Sequence, residues 1–204
     1  MLYKATVAPH TLELLKNLMQ KSYLQDFCLV GGTSLSLQTG HRISIDLDMF
    51  SAEAFDAVEL KSLLELDFAD LEIVLERTNT LITTINGIKV DFIRFKYGFS
   101  YPIIIHKSLR LADIKDIAPM KLDAISGRGK KKDYFDLYFL LQKFTLPQLL
   151  ELYKTKYKHT TIFHVIKSIN YFEDAEAEPD PIVLNKKITW SKVKKTISKE
   201  IQKL

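Results

Sequence analysis

The feature that most constrains this chain is a short pattern between residues 31 and 48. It opens with two glycines and two hydroxyl residues, Gly31-Gly32-Thr33-Ser34, and closes with two acids on alternate residues, Asp46 and Asp48. Alternate residues of a strand point to one face, so a strand over residues 43–50 places both carboxylates together. The apolar residues of this segment then fill the opposite face: Ile43, Ile45, Leu47 and Met49. Two acids on one face of a hydrophobic strand repel each other unless a cation lies between them.

The bulk composition is that of an ordinary globular protein. The chain has 204 residues, of which 47% are hydrophobic and 26% charged, enough for one core or a core with a helical addition. No apolar run approaches the roughly 20 residues that cross a bilayer, and the first ten residues lack the pattern of a signal peptide. Cys28 is the single cysteine, which excludes an intrachain disulfide and a cysteine-rich metal site. We therefore expect a cytoplasmic protein with no membrane partner.

Apolar spacing predicts strands mainly in the first half of the chain. Five strands are expected, over residues 27–30, 43–50, 71–77, 81–85 and 88–95. Asn86-Gly87 separates the last two and is a strong signal for a tight hairpin, because both central positions of a type I′ turn need a positive φ. Helices are expected between the strands, over residues 11–23, 33–39 and 55–66.

Beyond residue 114 the spacing predicts helices alone. They are expected over residues 115–126, 132–144, 146–157, 162–172 and 188–204, with an acidic, proline-containing linker at 173–181. The fold class is therefore predicted as α+β. Its N-terminal part, residues 1–114, is a mixed sheet flanked by helices, and its C-terminal part, residues 115–204, is helical.

The glycine pair suits the close approach of a ligand. Gly31 and Gly32 have no Cβ to obstruct it, and a helix that starts there directs unpaired N–H groups at an anion such as phosphate. Thr33 and Ser34 either cap that helix or donate their hydroxyls to the anion. A plain turn without a ligand is the alternative for this motif taken alone. Arg42 either contacts phosphate or neutralises the nearby acids.

The acids suit a divalent metal. Mg²⁺ prefers oxygen ligands and usually takes one or two carboxylates, with substrate phosphates and water completing its shell. Asp91 is the candidate for a third carboxylate, since it lies inside the apolar run 88–93 and a buried charge needs a partner. The alternatives are a salt bridge for Asp91, and an exposed edge strand for Asp46 and Asp48.

Two blocks of this sequence resemble the AbiEii/AbiGii toxin family, which belongs to the DNA polymerase beta-type nucleotidyltransferase superfamily. The first runs from Gly31-Gly32-Thr33-Ser34-Leu35 to Gly40-His41-Arg42-Ile43-Ser44-Ile45-Asp46-Leu47-Asp48. The second is Pro119-Met120-Lys121-Leu122-Asp123-Ala124-Ile125-Ser126-Gly127-Arg128, followed by Lys132-Asp133-Tyr134-Phe135-Asp136-Leu137. The resemblance spans roughly residues 28–141. Its specificity comes from the order and spacing of the two blocks.

The resemblance implies a role for each matching residue. Gly31, Gly32, Thr33, Ser34 and Arg42 are expected to hold nucleotide phosphates. Asp46 and Asp48, with Asp91 by the superfamily pattern, are expected to bind Mg²⁺, with Mn²⁺ as a substitute. Lys121 is expected to bind the triphosphate. Asp136 is expected to assist the acceptor or to orient Lys121, and a purely structural Lys121–Asp136 ion pair is the alternative.

The resulting hypothesis is a Mg²⁺-dependent enzyme that transfers a nucleotidyl group from a nucleoside triphosphate to an acceptor hydroxyl. By resemblance it is the toxin of a bacterial toxin–antitoxin or abortive-infection system, with a protein antitoxin as partner. The acceptor is an RNA 3′ end or a protein. Residues 181–204 carry a net charge of +6, which suits an RNA phosphate backbone or a solvated helix face. The competing hypotheses are a non-catalytic nucleotide- or RNA-binding module and an NTP-dependent phosphotransferase.

Overall fold

The computed structural model describes residues 2–158 and 160–204, which form one mixed sheet with helices on both of its faces. Five strands were expected and all five are present: β3 has the predicted ends, and the other four have shifted ends. The strands of the described residues are β1 Phe27–Leu29, β2 Leu47–Ser51, β3 Leu71–Arg77, β4 Thr80–Ile85, β5 Ile88–Arg94, β6 Ile104–His106 and β7 Leu109–Leu111. The α+β prediction is therefore confirmed.

The sheet has the strand order β3-β4-β5-β2-β1-β7-β6. The pairs β2–β5 and β1–β7 are parallel and the other pairs are antiparallel. The predicted hairpin is confirmed, because β4 and β5 are joined by Asn86 and Gly87 with φ angles of 51° and 72°. These positive angles match the right-handed twist of the two strands.

Helices cover the two faces of the sheet differently. α1 Pro9–Gln20 and α3 Ala57–Asp67 pack on one face, while the long second half of the chain lies over the other. The remaining helices are α2 Gly31–Thr39, α4 Ile114–Arg128, α5 Lys131–Leu140, α6 Leu146–Lys156, α7 Ile162–Ile169, α8 Glu173–Glu176 and α9 Trp190–Ile201. None of the helices in the described residues is long and apolar enough to cross a membrane.

Alternation along β2 decides which side of the sheet becomes polar. Leu47 and Met49 are fully buried in the core under α1 and α3. Phe50 points the other way and packs against the helical half of the chain. Asp48 lies between Leu47 and Met49, so its side chain also faces the helical half, because side chains alternate along a strand.

The predicted strand over residues 43–50 is wrong in its first half. β2 begins at Leu47, so Asp46 precedes the strand. The reason is that the backbone before it finds other partners. The N–H of Ile43 donates to the carbonyl of Ile182 at 2.8 Å, and the N–H of Ser44 donates to the carbonyl of Thr6 at 2.9 Å. Ile45, expected inside, is 63% exposed.

Strands β6 and β7 were not expected. Each has three residues, too short for a periodic signal, and Lys107 turns between them with a φ of 57°. β7 is held in place by its pairing with β1, where Leu111 is the register partner of Leu29. Because its partner strand lies 82 positions away in the sequence, β7 could not be predicted from its neighbouring residues.

The predicted linker at 173–181 is also wrong, because most of it is anchored. It begins with the short helix α8, and the residues that follow are bound by Lys131. The backbone N–H of Lys131 donates to the Glu178 carboxylate at 2.6 Å. Its buried ammonium group donates to the carbonyls of Glu176 and Glu178 and pairs with Asp180 at 3.2 Å. Lys131 therefore ties residues 176–180 to the start of α5.

The predicted helices are confirmed with ends that differ by a few residues. The largest difference is in the fifth helix, which was expected to reach residue 144 and ends at Leu140. The helical half begins with α4 at Ile114, one residue before the start expected from the sequence. The division of the chain into domains 1–114 and 115–204 stays a prediction.

Candidate active site

Asp48 and Asp91 lie side by side on the two central parallel strands. They are register partners in the β2–β5 pair, and neighbouring strands lie about 4.8 Å apart. Lys89 donates to Oδ2 of Asp91 at 2.5 Å. Oδ1 of Asp91 is buried and has no hydrogen-bond partner among the described residues. Such an orphaned carboxylate oxygen fits a cation.

The environment of Asp48 disfavours its charged form. Burial raises the pKa of the Asp48 carboxyl, and the neighbouring Asp91 and Asp46 raise it further, although Lys121 opposes them. No salt bridge within the described residues involves Asp48. A bound cation would therefore stabilise the ionised form of this residue.

Asp46 stands slightly apart from this pair. Its carboxylate is half-buried and accepts a hydrogen bond from Lys132 at 3.3 Å. Among the described residues, no three His, Cys, Asp or Glu side chains converge closely enough to hold one metal ion. Of the three acids that were expected to bind the metal, Asp48 and Asp91 are therefore adjacent. Asp46 lies apart from them and pairs with Lys132.

The glycines bring the start of α2 against the acids. Gly31 has a φ of +66°, and a Cβ there would lie 1.9 Å from Oδ2 of Asp48. A Cβ on Gly32 would lie 2.3 Å from a guanidinium nitrogen of Arg42. Gly31 therefore requires glycine, whereas a side chain at Gly32 would have to displace the Arg42 guanidinium. α2 begins at Gly31, two residues earlier than expected.

Thr33 and Ser34 use their side chains internally. Both residues are fully buried. The Thr33 hydroxyl donates to the carbonyl oxygen of Asp46 and lies 2.9 Å from the Ser44 hydroxyl. The Ser34 hydroxyl accepts from Gln38 at 3.0 Å. These bonds tie α2 to the segment that carries Asp46, and the phosphate-binding role of the two hydroxyls stays a prediction.

Asp136 on α5 is surrounded by basic groups. Arg42 donates to both of its oxygens, from Nε at 2.6 Å and from a terminal nitrogen at 2.9 Å. Lys121 lies 2.7 Å from Oδ2, and His41 lies 2.7 Å from Oδ1. Burial alone would raise the pKa of Asp136, but Arg42, Lys121 and His41 hold it well below its usual value.

Lys121 is shared between two acids of one helix. Its ammonium group donates to Asp133 at 3.0 Å as well as contacting Asp136. Burial lowers the pKa of Lys121, yet the two carboxylates outweigh it and the pKa ends above its usual value. Arg128 binds Asp133 from the other side with both Nε and a terminal nitrogen. Lys121 is therefore a fixed positive charge beside Asp48.

The structure distributes the residues that were expected to act over two cavities. Gly31, Asp48 and Lys121 line one cavity, with Asp91 beside Asp48 in the sheet and Asp136 in contact with Lys121. Arg42 and Asp46 line a second cavity together with Lys132. Sequence reasoning gave no role to His41 and did not connect Arg42 to Asp136. The only available signal was the position of His41 and Arg42 inside the first motif, and a distance of 94 residues separates Arg42 from its partner.

The arrangement suits the handling of a phosphorylated substrate. The carboxylate of Asp48, the first residue of α2 and the buried Lys121 line one cavity, on the face of the mixed sheet that is covered by the helical region. Acids in this setting take divalent cations, and the lysine and the helix start take phosphate oxygens. The class defined by these features is that of enzymes acting on nucleotides.

Comparison with known proteins gives the family. The chain matches the family described as "Nucleotidyl transferase AbiEii toxin, Type IV TA system" over residues 13–111 and 101–203. It is also 34% identical over 176 residues to an uncharacterized protein of Aquifex aeolicus. The aligned region covers 81% of this chain and 83% of that protein. The chain therefore belongs to the AbiEii family of nucleotidyltransferase toxins.

Solved structures share the fold. JHP933 from Helicobacter pylori superposes with a TM-score of 0.57 at 18% identity, over 96% of this chain and 92% of its own. MenT4, a nucleotidyltransferase toxin from Mycobacterium tuberculosis, gives a TM-score of 0.57 at 16% identity, over 95% of this chain and 83% of its own. At these identities the similarity establishes the fold, and the family membership establishes that the chain is a nucleotidyltransferase.

Proposed function

We propose that this nucleotidyltransferase uses Mg²⁺ to transfer a nucleoside monophosphate from an NTP to an acceptor hydroxyl. A bond forms between the acceptor oxygen and the α-phosphorus, and the bond from that phosphorus to the β-phosphate oxygen breaks, which releases pyrophosphate. The observation that carries the proposal is the in-register pair Asp48 and Asp91, with its orphaned buried oxygen, beside Lys121.

The donor set fits Mg²⁺, with Mn²⁺ as a substitute. Asp48, Asp91 and Asp46 offer only carboxylate oxygens, and this site would hold one ion or two. A bound Mg²⁺ would neutralise charge on the triphosphate and on the developing transition state. Lys132, which now pairs with Asp46, would exchange that carboxylate for a substrate phosphate when the metal binds.

The other residues of the site position the triphosphate. Lys121 is the buried cation that faces the cavity, and Asp133 and Asp136 hold its ammonium group in place. Arg42 is fixed by the same Asp136 against the second glycine of α2. Catalysis of this kind comes mainly from positioning and charge stabilisation, so the rigid cluster behind the cavity is part of the mechanism.

Family membership supports a toxin role, for which we propose a protein antitoxin as partner and the cytoplasm, where NTPs are available, as the location. The acceptor we propose is an RNA 3′ end, with α9 as its docking helix. α9 buries Val193 and Ile197 against the protein and leaves Lys192, Lys195 and Lys199 exposed. Exposed lysines on one element suit a phosphate backbone.

The test is incubation of the protein with each α-³²P-labelled NTP, Mg²⁺ and total bacterial RNA. The matched control carries Asp46→Ala and Asp48→Ala. We expect label in RNA only when the acids are intact. Label in the protein itself would assign a protein acceptor, and transfer from γ-labelled NTP would assign phosphotransfer instead. NTP binding with no transfer of any label would assign a non-catalytic binding module.

The docking role of α9 has its own test. Lys192→Gln, Lys195→Gln and Lys199→Gln are combined in one variant, and RNA labelling is measured between 50 and about 200 mM salt. Removing phosphate contacts should weaken labelling and flatten its dependence on salt, since each contact adds about one to the slope. Unchanged labelling and an unchanged slope would exclude α9 as the RNA dock.

A further inference from the structure

The cavity beside Asp48 has two chemically different parts to its lining. It encloses about 340 Å³, within the range of small-molecule sites. One part of its lining is charged and includes Asp48 and Lys121, which with Gly31 we assign to metal and triphosphate. Another part is aromatic: Phe50, Phe95 and Tyr157. An NTP combines the same two kinds of group, a charged triphosphate and a flat, largely apolar base.

The aromatic side chains of the lining belong to one connected cluster, which we call the aromatic wall. The centroid of the Phe95 ring lies 5.9 Å from that of Phe50 and 5.6 Å from that of Tyr97, and the Tyr97 and Tyr157 centroids are 4.7 Å apart. Such edge and tilted contacts stabilise aromatic clusters. A base can stack on a wall of this kind whatever its identity, because every base has a π face.

A buried ion pair anchors the loop that supplies this wall. Lys156 and Asp116 are 2.6 Å apart and both are buried. The Asp116 carboxylate accepts from the backbone N–H groups of Ser100 and Tyr101, each at 2.9 Å. Lys156 donates to the carbonyl of Gly98 at 2.8 Å and also lies 5.0 Å from the centre of the Phe95 ring. The wall is therefore in place before any ligand binds.

Asp123 adds the polar group that such a wall lacks. It lies on α4, two residues after Lys121, and lines the same cavity. The Tyr153 hydroxyl donates to its Oδ1 at 3.2 Å and so orients the carboxylate. Within residues 2–158 and 160–204, no lysine or arginine forms a salt bridge with Asp123, in contrast to Asp133 and Asp136 on the neighbouring helix. It is an acceptor without a cation.

We propose that the aromatic wall binds the nucleobase of the NTP and that Asp123 selects a base with an exocyclic amino group. An ionised carboxylate only accepts hydrogen bonds, and cytosine, adenine and guanine each present an N–H₂ donor. Uracil presents carbonyl oxygens in place of that group, and a carboxylate repels them. The proposal rests on the proposed function, since it assigns the base end of the same NTP site.

CTP and UTP are the sharpest pair of probes, because they differ at the amino or carbonyl group on C4 and at the neighbouring N3. Their dissociation constants are measured by calorimetry with the full chain and Mg²⁺, without an acceptor. A hydrogen bond to a charged group predicts that CTP binds about 10- to 100-fold more tightly than UTP. Asp123→Asn should lower this ratio towards 1 or reverse it, because an amide both donates and accepts.

Three further variants separate base selection from general damage. Tyr153→Phe removes the hydroxyl that orients Asp123 and should give an intermediate ratio. Tyr157→Leu should weaken CTP and UTP equally, because it removes stacking and leaves the carboxylate. Glu151→Gln, which changes an exposed acid on α6 beside Lys154, should leave both constants unchanged. Thermal unfolding of each variant shows that the fold is kept.

The outcomes distinguish this proposal from the proposed function. Equal affinities of the parent protein for CTP and UTP, or a preference that survives Asp123→Asn, would overturn the base site while leaving nucleotidyl transfer intact. Failure to bind any NTP would overturn both. Tight NTP binding with the expected loss of preference in Asp123→Asn would support the base site even if the acceptor proved not to be RNA.

Discussion

The molecule contains two groups of aspartates with opposite electrostatic environments. The strand acids, Asp48 and Asp91, lie on β2 and β5, and within the described residues Asp91 forms a salt bridge with Lys89 whereas Asp48 forms none. The helix acids, Asp133 and Asp136, lie on α5 and accept bonds from four basic side chains. The pKa is raised at Asp48 by burial and neighbouring acids, whereas burial is overcome by cations at both helix acids, whose pKa values are lowered.

This difference in electrostatic environment shows how aspartate serves two purposes in one protein, as a structural partner of buried cations and as a carboxylate open to a ligand. Acids that are already neutralised by the protein cannot gain much from a metal, so the helix acids act as scaffold for Lys121 and Arg42. Acids that the protein leaves underneutralised store unfavourable charge that a metal relieves. Perturbed groups of this kind cluster at functional sites. The contrast supports the proposal that a metal binds at the strand acids and that Lys121 and Arg42, held by the helix acids, bind phosphate.

The largest expected effect is on catalysis at Asp48. Asp48→Asn should lower nucleotidyl transfer by about 10³-fold or more, because several kcal/mol of metal-derived stabilisation is lost. The same substitution should raise the unfolding temperature of the metal-free protein, since it removes an unfavourable buried charge. Labelling with α-³²P-NTP and thermal unfolding measure the two effects. A variant that is inactive but also less stable would contradict the contrast.

The helix acids should behave in the opposite way. Asp136→Asn removes the carboxylate partner of the buried Arg42 and one of the two partners of Lys121, and we expect a loss of about 3–5 kcal/mol in the free energy of unfolding. Urea titration measures it. The matched control is Asp46→Asn, which breaks a half-exposed pair with Lys132 and should cost no more than about 1 kcal/mol. Similar losses in both variants would show that Asp136 is not a structural centre.

Metal binding should sharpen the comparison without any substrate. Mg²⁺ at about 100 times its dissociation constant should stabilise the parent protein by about 2.7 kcal/mol, because it binds the folded state alone. Asp48→Asn should abolish this stabilisation. Lys132→Gln should retain or strengthen it, since Asp46 is then released. Equal stabilisation of the parent protein and Asp48→Asn would place the metal elsewhere.

The smallest effect is the dependence on pH. The raised pKa of Asp48 means that the folded state binds its proton more tightly than the unfolded state does. The stabilisation by Asp48→Asn should therefore be full above the raised folded pKa and disappear as pH falls through it towards 3.8.

The Asp136 carboxylate should change stability with pH in the opposite direction, because its pKa is lowered well below 3.8. Its contribution should be present above the unfolded pKa and be lost as pH falls through the folded pKa. Urea titration across acidic pH, with each Asn variant beside the parent, measures both.

The strength of local signals explains which parts of the fold were predictable. Asn86-Gly87 identified its hairpin, because positive φ angles are needed at both positions and few residues supply them. Asp48 was predicted as a site residue from its alternation with Asp46 among apolar neighbours, and its role stays a prediction. The first half of the strand over residues 43–50 was misjudged, because its hydrogen bonds go to Ile182 and Thr6. The anchored segment after α8 was misjudged for the same reason, as its partner Lys131 is 45 residues or more away.

The sequence by itself determined the class of fold and the residue types of the site. Hydrophobic periodicity, turn residues and the spacing of glycines and acids are local properties, and local geometry converts them directly into strands, helices and faces. Only the tertiary structure decided which acids remain underneutralised, because that depends on cations from distant segments. Asp48 and Asp136 are residues of the same type. Arg42, Lys121 and His41 surround Asp136 and neutralise it, whereas Asp48 forms no salt bridge within the described residues.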